Sequence, residues 1–414
     1  DDTAALQKAF DSGCEISGEY KQYVASALMT LSDKTVLSNA TFINRIPAQS
    51  PQRLLARSGG TSITIRDIVV QRGSAANVGN VDDASIWLNN IDGVLLERVE
   101  VTGNGRGSAI QVINSKNVTI RDPHIHDMRW ENASTPYEQL TGIWINGGTD
   151  VLIERPRIYN ILGRDATVNS RTFQTDGITL GGTTRATIRG ADISFVGEGI
   201  DFTGSVGNTA FTIESSSIHD VDAFCYKVAN SASDGVIRNS NSNRCGYAGF
   251  VIAGRGERIT IDNAKAYDTG HNGNWASFPV AGFLLLEQDT NVGFPRNVKI
   301  INSSSIDTQS QKTTKYGFYS QVGATNGVFP NTTKNVDSTG HTIEGSRGFS
   351  APTGAAVVRV PWLVFSGDSR TDASGTGGQG SASTWPWLFH ITTHISLYRA
   401  LKRAIRHRMV IRRR

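Results

Sequence analysis

The sequence predicts an all-β fold: a single-stranded, right-handed parallel β-helix, a solenoid of about ten coils, closed at its start by a capping helix. Three observations carry this. A short "G-I/F-x-hydrophobic" segment recurs and places Ile86, Ile110, Ile143, Ile178, Ile200, Phe224, Phe250, Phe283 and Phe318 in one column. Their spacings of 24, 33, 35, 22, 24, 26, 33 and 35 residues describe a unit of 22 to 26 residues with additions of about ten. Each unit also holds a second alternating segment, among them "SITIRDIVV", "NVTIRDPHI", "VLIERPRI" and "FTIESSSI". Glycine is abundant at 43 residues and methionine scarce at 3, as in chains of short strands and tight turns. Such a unit buries its apolar face only by stacking on its neighbours, and parallel crossovers are nearly always right-handed.

The elements follow in order. Residues 1–14 open with "DDTAALQKAF", where Asp2 or Thr3 serves as N-cap and Leu6 and Phe10 share one side of a helix that covers the open end of the solenoid. Residues 15–365 are the β-helix. Two residues past the central isoleucine of the second segment stand Asn239, Asn263 and Asn302, an expected ladder of stacked amides at a turn. Residues 366–384 read as a flexible Gly/Ser linker, and residues 385–414 as a basic amphipathic tail with Leu397, Leu401 and Ile405 on one side.

The net charge of +4 hides a division, because eight basic residues and no acid lie from Trp385 onward, leaving about −4 over residues 1–384. The body is mildly acidic; no specific nucleic-acid partner is expected of it. Cys14, Cys225 and Cys245 are too few and too odd in number for a disulfide framework, and their spacing fits no metal motif. No apolar run is long enough to span a membrane.

All four long spacings arise at one point of the coil, through the insertions "HDMRWENASTPYEQL", "YNILGRDATVNSRTFQ", "YDTGHNGNWASFPV" and "DTQSQKTTK". Stacking puts them on one edge, as walls of a groove whose floor is the "G-I" strands, a shape suited to a polymer. Two residues before the column, three central coils carry acids: Asp176, Glu198 and Asp222. Stacked like charges repel, so the cluster calls for a cation, a shared proton or a basic partner. Asp201 adds a fourth acid one residue past the column, and Lys227 points outward beside it. Trp87, Trp144 and Tyr319, outward on the same floor, are candidate platforms for sugar rings.

"DDTAALQKAF" resembles the start of the pectate-lyase-like and polygalacturonase-like β-helix proteins, a group of polysaccharide lyases, glycoside hydrolases, uronate epimerases and phage tailspikes. The resemblance covers about residues 1–350 and implies a secreted or extracellular protein, monomeric or trimeric, with an acidic polysaccharide as partner. "QTDGI" resembles the Asn-Thr-Asp-Gly motif of family 28 polygalacturonases, which implies Asp176 and Glu198 as acid and base of an inverting hydrolysis. That family's Gly-His-Gly and Arg-Ile-Lys segments are absent. The reading ranked first is therefore β-elimination by a polysaccharide lyase. Asp176, Glu198 and Asp222 would hold Ca²⁺, the candidate cofactor. Lys227 would be the base, with His219 as a further candidate and Arg164 and Arg171 meeting the substrate. Hydrolysis stands second; a tailspike-like glycan-binding protein or a uronate C5-epimerase stands third.

Overall fold

The alternation read from the sequence becomes coils because every strand in the stack pairs parallel to its counterpart in the next coil. The computed structural model describes residues 1–343, apart from 48–52, 74–82, 106, 132–139, 165–174, 205, 272–279, 287–292, 294, 312, 315, 321–334 and 337–341. More than half of each of the first three insertions, residues 344–365 of the expected β-helix, the linker over 366–384 and the tail over 385–414 lie outside the described residues, whereas the fourth insertion is described apart from residues 312 and 315.

One sheet has eleven strands, from Met29–Thr30 to Tyr316–Ser320, and forms the floor of the predicted groove. The other has eighteen. Its early strands, such as Thr61–Gln71 and Asp92–Thr102, run unbroken, whereas later coils divide the same path into two, as in Lys116–Arg121 and His124–Glu131. The coil thereby gains a third face.

The corner between those two faces is a stack of left-handed residues: Asp122, Arg155, Gly190, Ser215, Asn239, Asn263 and Asn302, with φ between +47° and +64°. Asparagine tolerates this conformation better than most side chains, which explains the Asn run seen in the sequence. Asn263 Nδ2 donates to Asn239 Oδ1 at 2.8 Å, a step of the amide ladder, and Asn302 Nδ2 donates to Asp262 Oδ1. Interior rows of Ile63, Val94, Val118, Val151 and Ala186, and of Ile65, Leu96, Ile120, Ile153 and Ile188, fill the core.

The helix spans Thr3–Asp11 and buries Leu6 and Phe10 as expected. Its cap differs from the expectation. Asp2 holds the N-cap position but its carboxylate accepts from Val24 N, tying the helix to the first strand; Asp1 accepts from Thr3 N at 2.9 Å instead.

Two further expectations are corrected. Cys225 and Cys245 form a disulfide, with Cα atoms 5.7 Å apart, and Cys14 is free and exposed. The sequence reading missed it because stacking, not sequence spacing, brings these two positions together. The column also slips in one coil: Ile200 pairs with Tyr226, not Phe224, and Tyr226 with Phe250. Tyr226 sits in the core, its ring stacked on Phe250 at 4.6 Å and its hydroxyl donating to main-chain oxygens.

Candidate active site

The acid-Gly-Ile pattern has a steric origin. A Cβ on Gly177 would lie 2.6 Å from Gly199 O and 2.7 Å from Ile193 Cγ2, so this position turns inward where nothing larger fits. The same inward position holds Gly142, Gly199, Cys225, Gly249 and Gly282, and Ile178 and Ile200 follow it into the core. The acids that precede these glycines reach the outer row instead: Thr179 Oγ1 donates to Asp176 Oδ2 at 2.8 Å, and Lys227 Nζ donates to Glu198 Oε2 at 2.5 Å.

That outer row is continuous. By register it runs Trp87, Gln111, Trp144, Thr179, Asp201, Lys227, Val251, Leu284 and Tyr319. Asp176 and Glu198 lie directly opposite one another, and Asp201 is opposite Lys227. Four ionisable groups therefore meet: Lys227 Nζ lies 2.5 Å from Glu198 Oε2 and 3.0 Å from Asp201 Oδ2, and Asp176 faces them with a free Oδ1. Asp176, Glu198, Asp201 and Lys227 are 3%, 1%, 4% and 2% exposed, so water screens none of them.

Burial sets their protonation. It drives the Asp176 carboxyl well above the carboxylate range, reinforced by the charges of Glu198 and Asp201. Glu198 is pushed up to about 8, burial outweighing Lys227, and Asp201 rises for the same reason with Lys227 again opposing. For Lys227 burial works the other way, but Asp201, Glu198 and Asp176 together overcome it and hold the ammonium above its ordinary range. Burial thus favours the protonated carboxyl, at Asp176 above all, while the lysine keeps its charge. An ammonium held between two carboxylates is poorly set to act as the base expected of Lys227, since a base must be free of its proton.

The remaining predicted site residues scatter. Asp222 lies two positions out of the acid row because of the register slip; it precedes the strand Phe224–Val228, and its charge acts on Tyr247. His219 belongs to the eighteen-stranded sheet, beside Asp192 and Asp220 rather than the acids. Trp87 carries the Arg53 guanidinium 4.3 Å from its ring centre, and Trp144 is half-buried. Tyr319 is 7% exposed and packs against Tyr316, so it offers no open platform. Arg164 ends the strand Arg157–Arg164, its backbone opposite Glu131; Arg171 lies outside the described residues. Thr179, which orients Asp176, was not singled out from the sequence. Its signal was its place one residue past the column, in line with Asp201.

The profile of the right-handed β-helix region matches residues 141–278, which include the whole acid row. No curated protein matches the chain in sequence. Among solved structures, the Dettilon tailspike protein gp208 aligns with a TM-score of 0.52 at 14% identity, over 87% of this chain and 65% of its own. The N-terminal fragment of bacteriophage phi29 gene product 12 aligns at 0.51 and 13%, over 87% and 69%. A family 28 exopolygalacturonase from Yersinia enterocolitica aligns at 0.50 and 11%, over 86% and 76%. The chain spans only 50% of the pre-mature form of the phi29 protein. At these identities the likeness is one of fold.

Proposed function

We propose that this right-handed parallel β-helix is a polysaccharide-active enzyme hydrolysing an acidic, uronate-containing glycan with inversion. Asp176 is the general acid and Asp201 the general base in this reading. One observation carries it: two buried carboxyls on adjacent strands, three positions out of line, differ in their contact with a cation. Among the described residues Asp176 has no cation in hydrogen-bonding reach, and Thr179 occupies Oδ2, which leaves its proton to Oδ1. Asp201 accepts from the Lys227 ammonium at 3.0 Å, which opposes its protonation. Burial raises both carboxyls, but the Lys227 ammonium opposes the rise at Asp201 by direct contact, and a difference of this kind marks acid and base.

In the reaction Asp176 passes its proton to the glycosidic oxygen as the bond to the anomeric carbon breaks. Asp201 takes a proton from the attacking water. Inversion needs the two carboxyls roughly 6.5–9.5 Å apart. The pair Asp176 and Asp201 is offset by three positions along the strand, whereas Asp176 and Glu198 are direct register partners on backbones about 4.8 Å apart. Because the row is buried, a glycan reaches it only in a conformation that uncovers it.

β-Elimination has less to support it. Lys227 is held as an ammonium, its place between Glu198 and Asp201 is the one a Ca²⁺ would take, and Asp222 is out of the row. The test is a panel of polyuronates read for reducing ends, for ultraviolet absorbance of unsaturated uronates and for product anomer by NMR. Reducing ends of inverted configuration without absorbance support hydrolysis. Absorbance returns the reading to a lyase, and silence across the panel favours a glycan-binding protein.

A further inference from the structure

Away from the acid row, the eighteen-stranded sheet brings together three side chains for which the proposed hydrolysis has no use. His124 and His126 flank the fully buried Ile125, so strand alternation turns both rings to the outer face. The neighbouring coil sets Glu100 directly opposite His124. We propose that Glu100, His124 and His126 bind one divalent transition-metal ion, Zn²⁺ being the ion whose chemistry this donor set fits best.

The geometry is that of a ligand set. One atom from each residue can be chosen so that all lie within 4.8 Å of one another. His126 Nε2 lies 3.4 Å from Glu100 Oε1, and His124 Nδ1 lies 3.9 Å from Glu100 Oε2. A tetrahedral ion with bonds of about 2.1 Å spaces its ligand atoms about 3.4 Å apart, so the closure required is small.

The other nitrogen of each ring is held. His126 Nδ1 meets Asp127 Oδ2 at 2.7 Å, and Asp127 is itself fixed by Asn160 Nδ2 at 2.9 Å. His124 Nε2 meets the Tyr159 hydroxyl at 3.2 Å. With protons on these outer nitrogens, the lone pairs of His126 Nε2 and His124 Nδ1 point toward the Glu100 carboxylate. A lone pair facing a carboxylate is repulsive without a proton or a cation between them. A carboxylate behind a ligating histidine is the usual way proteins orient a metal-bound imidazole. Burial also lowers the His124 pKa, favouring the neutral ring that ligation needs.

Two nitrogens and one carboxylate leave a coordination position open. The Glu100 and His124 side chains are 38% and 34% exposed, so water or a ligand can reach it. The ion would also clip two successive coils together at the point where the long strand Asp92–Thr102 gives way to a divided pair.

The test uses the full chain without a histidine tag, stripped by chelation and titrated with Zn²⁺ by calorimetry and with Co²⁺ by visible absorption. One equivalent should bind saturably, with the d–d bands of a four- or five-coordinate Co²⁺ site. Asp127→Asn should weaken binding on the order of tenfold or more, and His126→Gln should abolish it, while His219→Gln leaves it unchanged. Zn²⁺ should raise the melting temperature of the parent but not of His126→Gln, a comparison that holds even if the variant is less stable. Failure of the parent to take up either ion saturably, or full uptake by a His124→Gln/His126→Gln double variant, overturns the proposal.

Discussion

Lys227 donates to Glu198 at 2.5 Å across adjacent strands, although its backbone partner is Asp201. One ammonium thus serves two carboxylates in a place that water does not reach. Removing one member of a buried ion pair leaves an uncompensated charge and costs about 3–5 kcal/mol. Lys227→Met should therefore lower stability by that order in denaturant unfolding at neutral pH. Adding Glu198→Gln to it should recover some of the loss. An unchanged midpoint for Lys227→Met would mean that the ammonium is not the group holding the cluster.

Asp176→Asn should behave differently. The amide keeps the shape, its oxygen still accepts from Thr179, and it removes a carboxyl that the fold already keeps neutral. Thermal stability should be equal or higher. Turnover should fall by about 10²–10⁴-fold, the usual contribution of a general acid. Wild-type turnover in this variant would move the acid elsewhere.

Stability should fall as pH rises from about 4.5 toward 8. Glu198 has an ordinary value of 4.5 and a folded value of about 8, so across that window the native state binds the proton more strongly than the unfolded chain. Stability then decreases with pH, by at most about 1.4 kcal/mol per unit for one proton. Asp176 and Asp201, also raised, act in the same direction. Lys227 adds no slope here, because its raised value is felt only above the ordinary lysine range. Urea midpoints between pH 5 and pH 8 check this, and Glu198→Gln should flatten the profile.

The Cys225–Cys245 bridge closes a 20-residue separation inside the core, and both cysteines are fully buried. Thiol labelling of the native protein should find Cys14 alone, with all three cysteines reacting after denaturation in reductant. Replacing both bridge cysteines by serine should cost about 3 kcal/mol by the chain-entropy account. Labelling of more than one thiol in the native protein would contradict the bridge.

A calcium chelator should leave turnover unchanged, since the ammonium already occupies the place between Glu198 and Asp201. Loss of turnover that Ca²⁺ restores would return the site to the lyase reading.

How far the site was legible depended on one coil. From Ile86 to Ile200 every column residue read from the sequence is a true register partner, because the small-residue-Ile pair repeats there. In the next coil cysteine takes the glycine's place and tyrosine the isoleucine's. "Asp-Ala-Phe" imitated the pattern two residues early, and the 50 residues from Ile200 to Phe250 divide as well one way as the other. This slip enrolled Asp222 wrongly and counted Lys227 three positions past the column, although it stands one past it, directly opposite Asp201.

The coil itself could be read from the chain alone. Period, alternation and the small residue before each core isoleucine are local demands of stacking, and they recur often enough to be seen without a structure. The meeting of Asp176, Glu198 and Asp201 was legible for the same reason, because parallel register carries a position from one coil to the next. What those acids became was settled by the folded stack. Their protonation, the charge on Lys227 and the closing of Cys225 on Cys245 depend on burial and on distances across coils, quantities set by the whole solenoid and written in no single repeat.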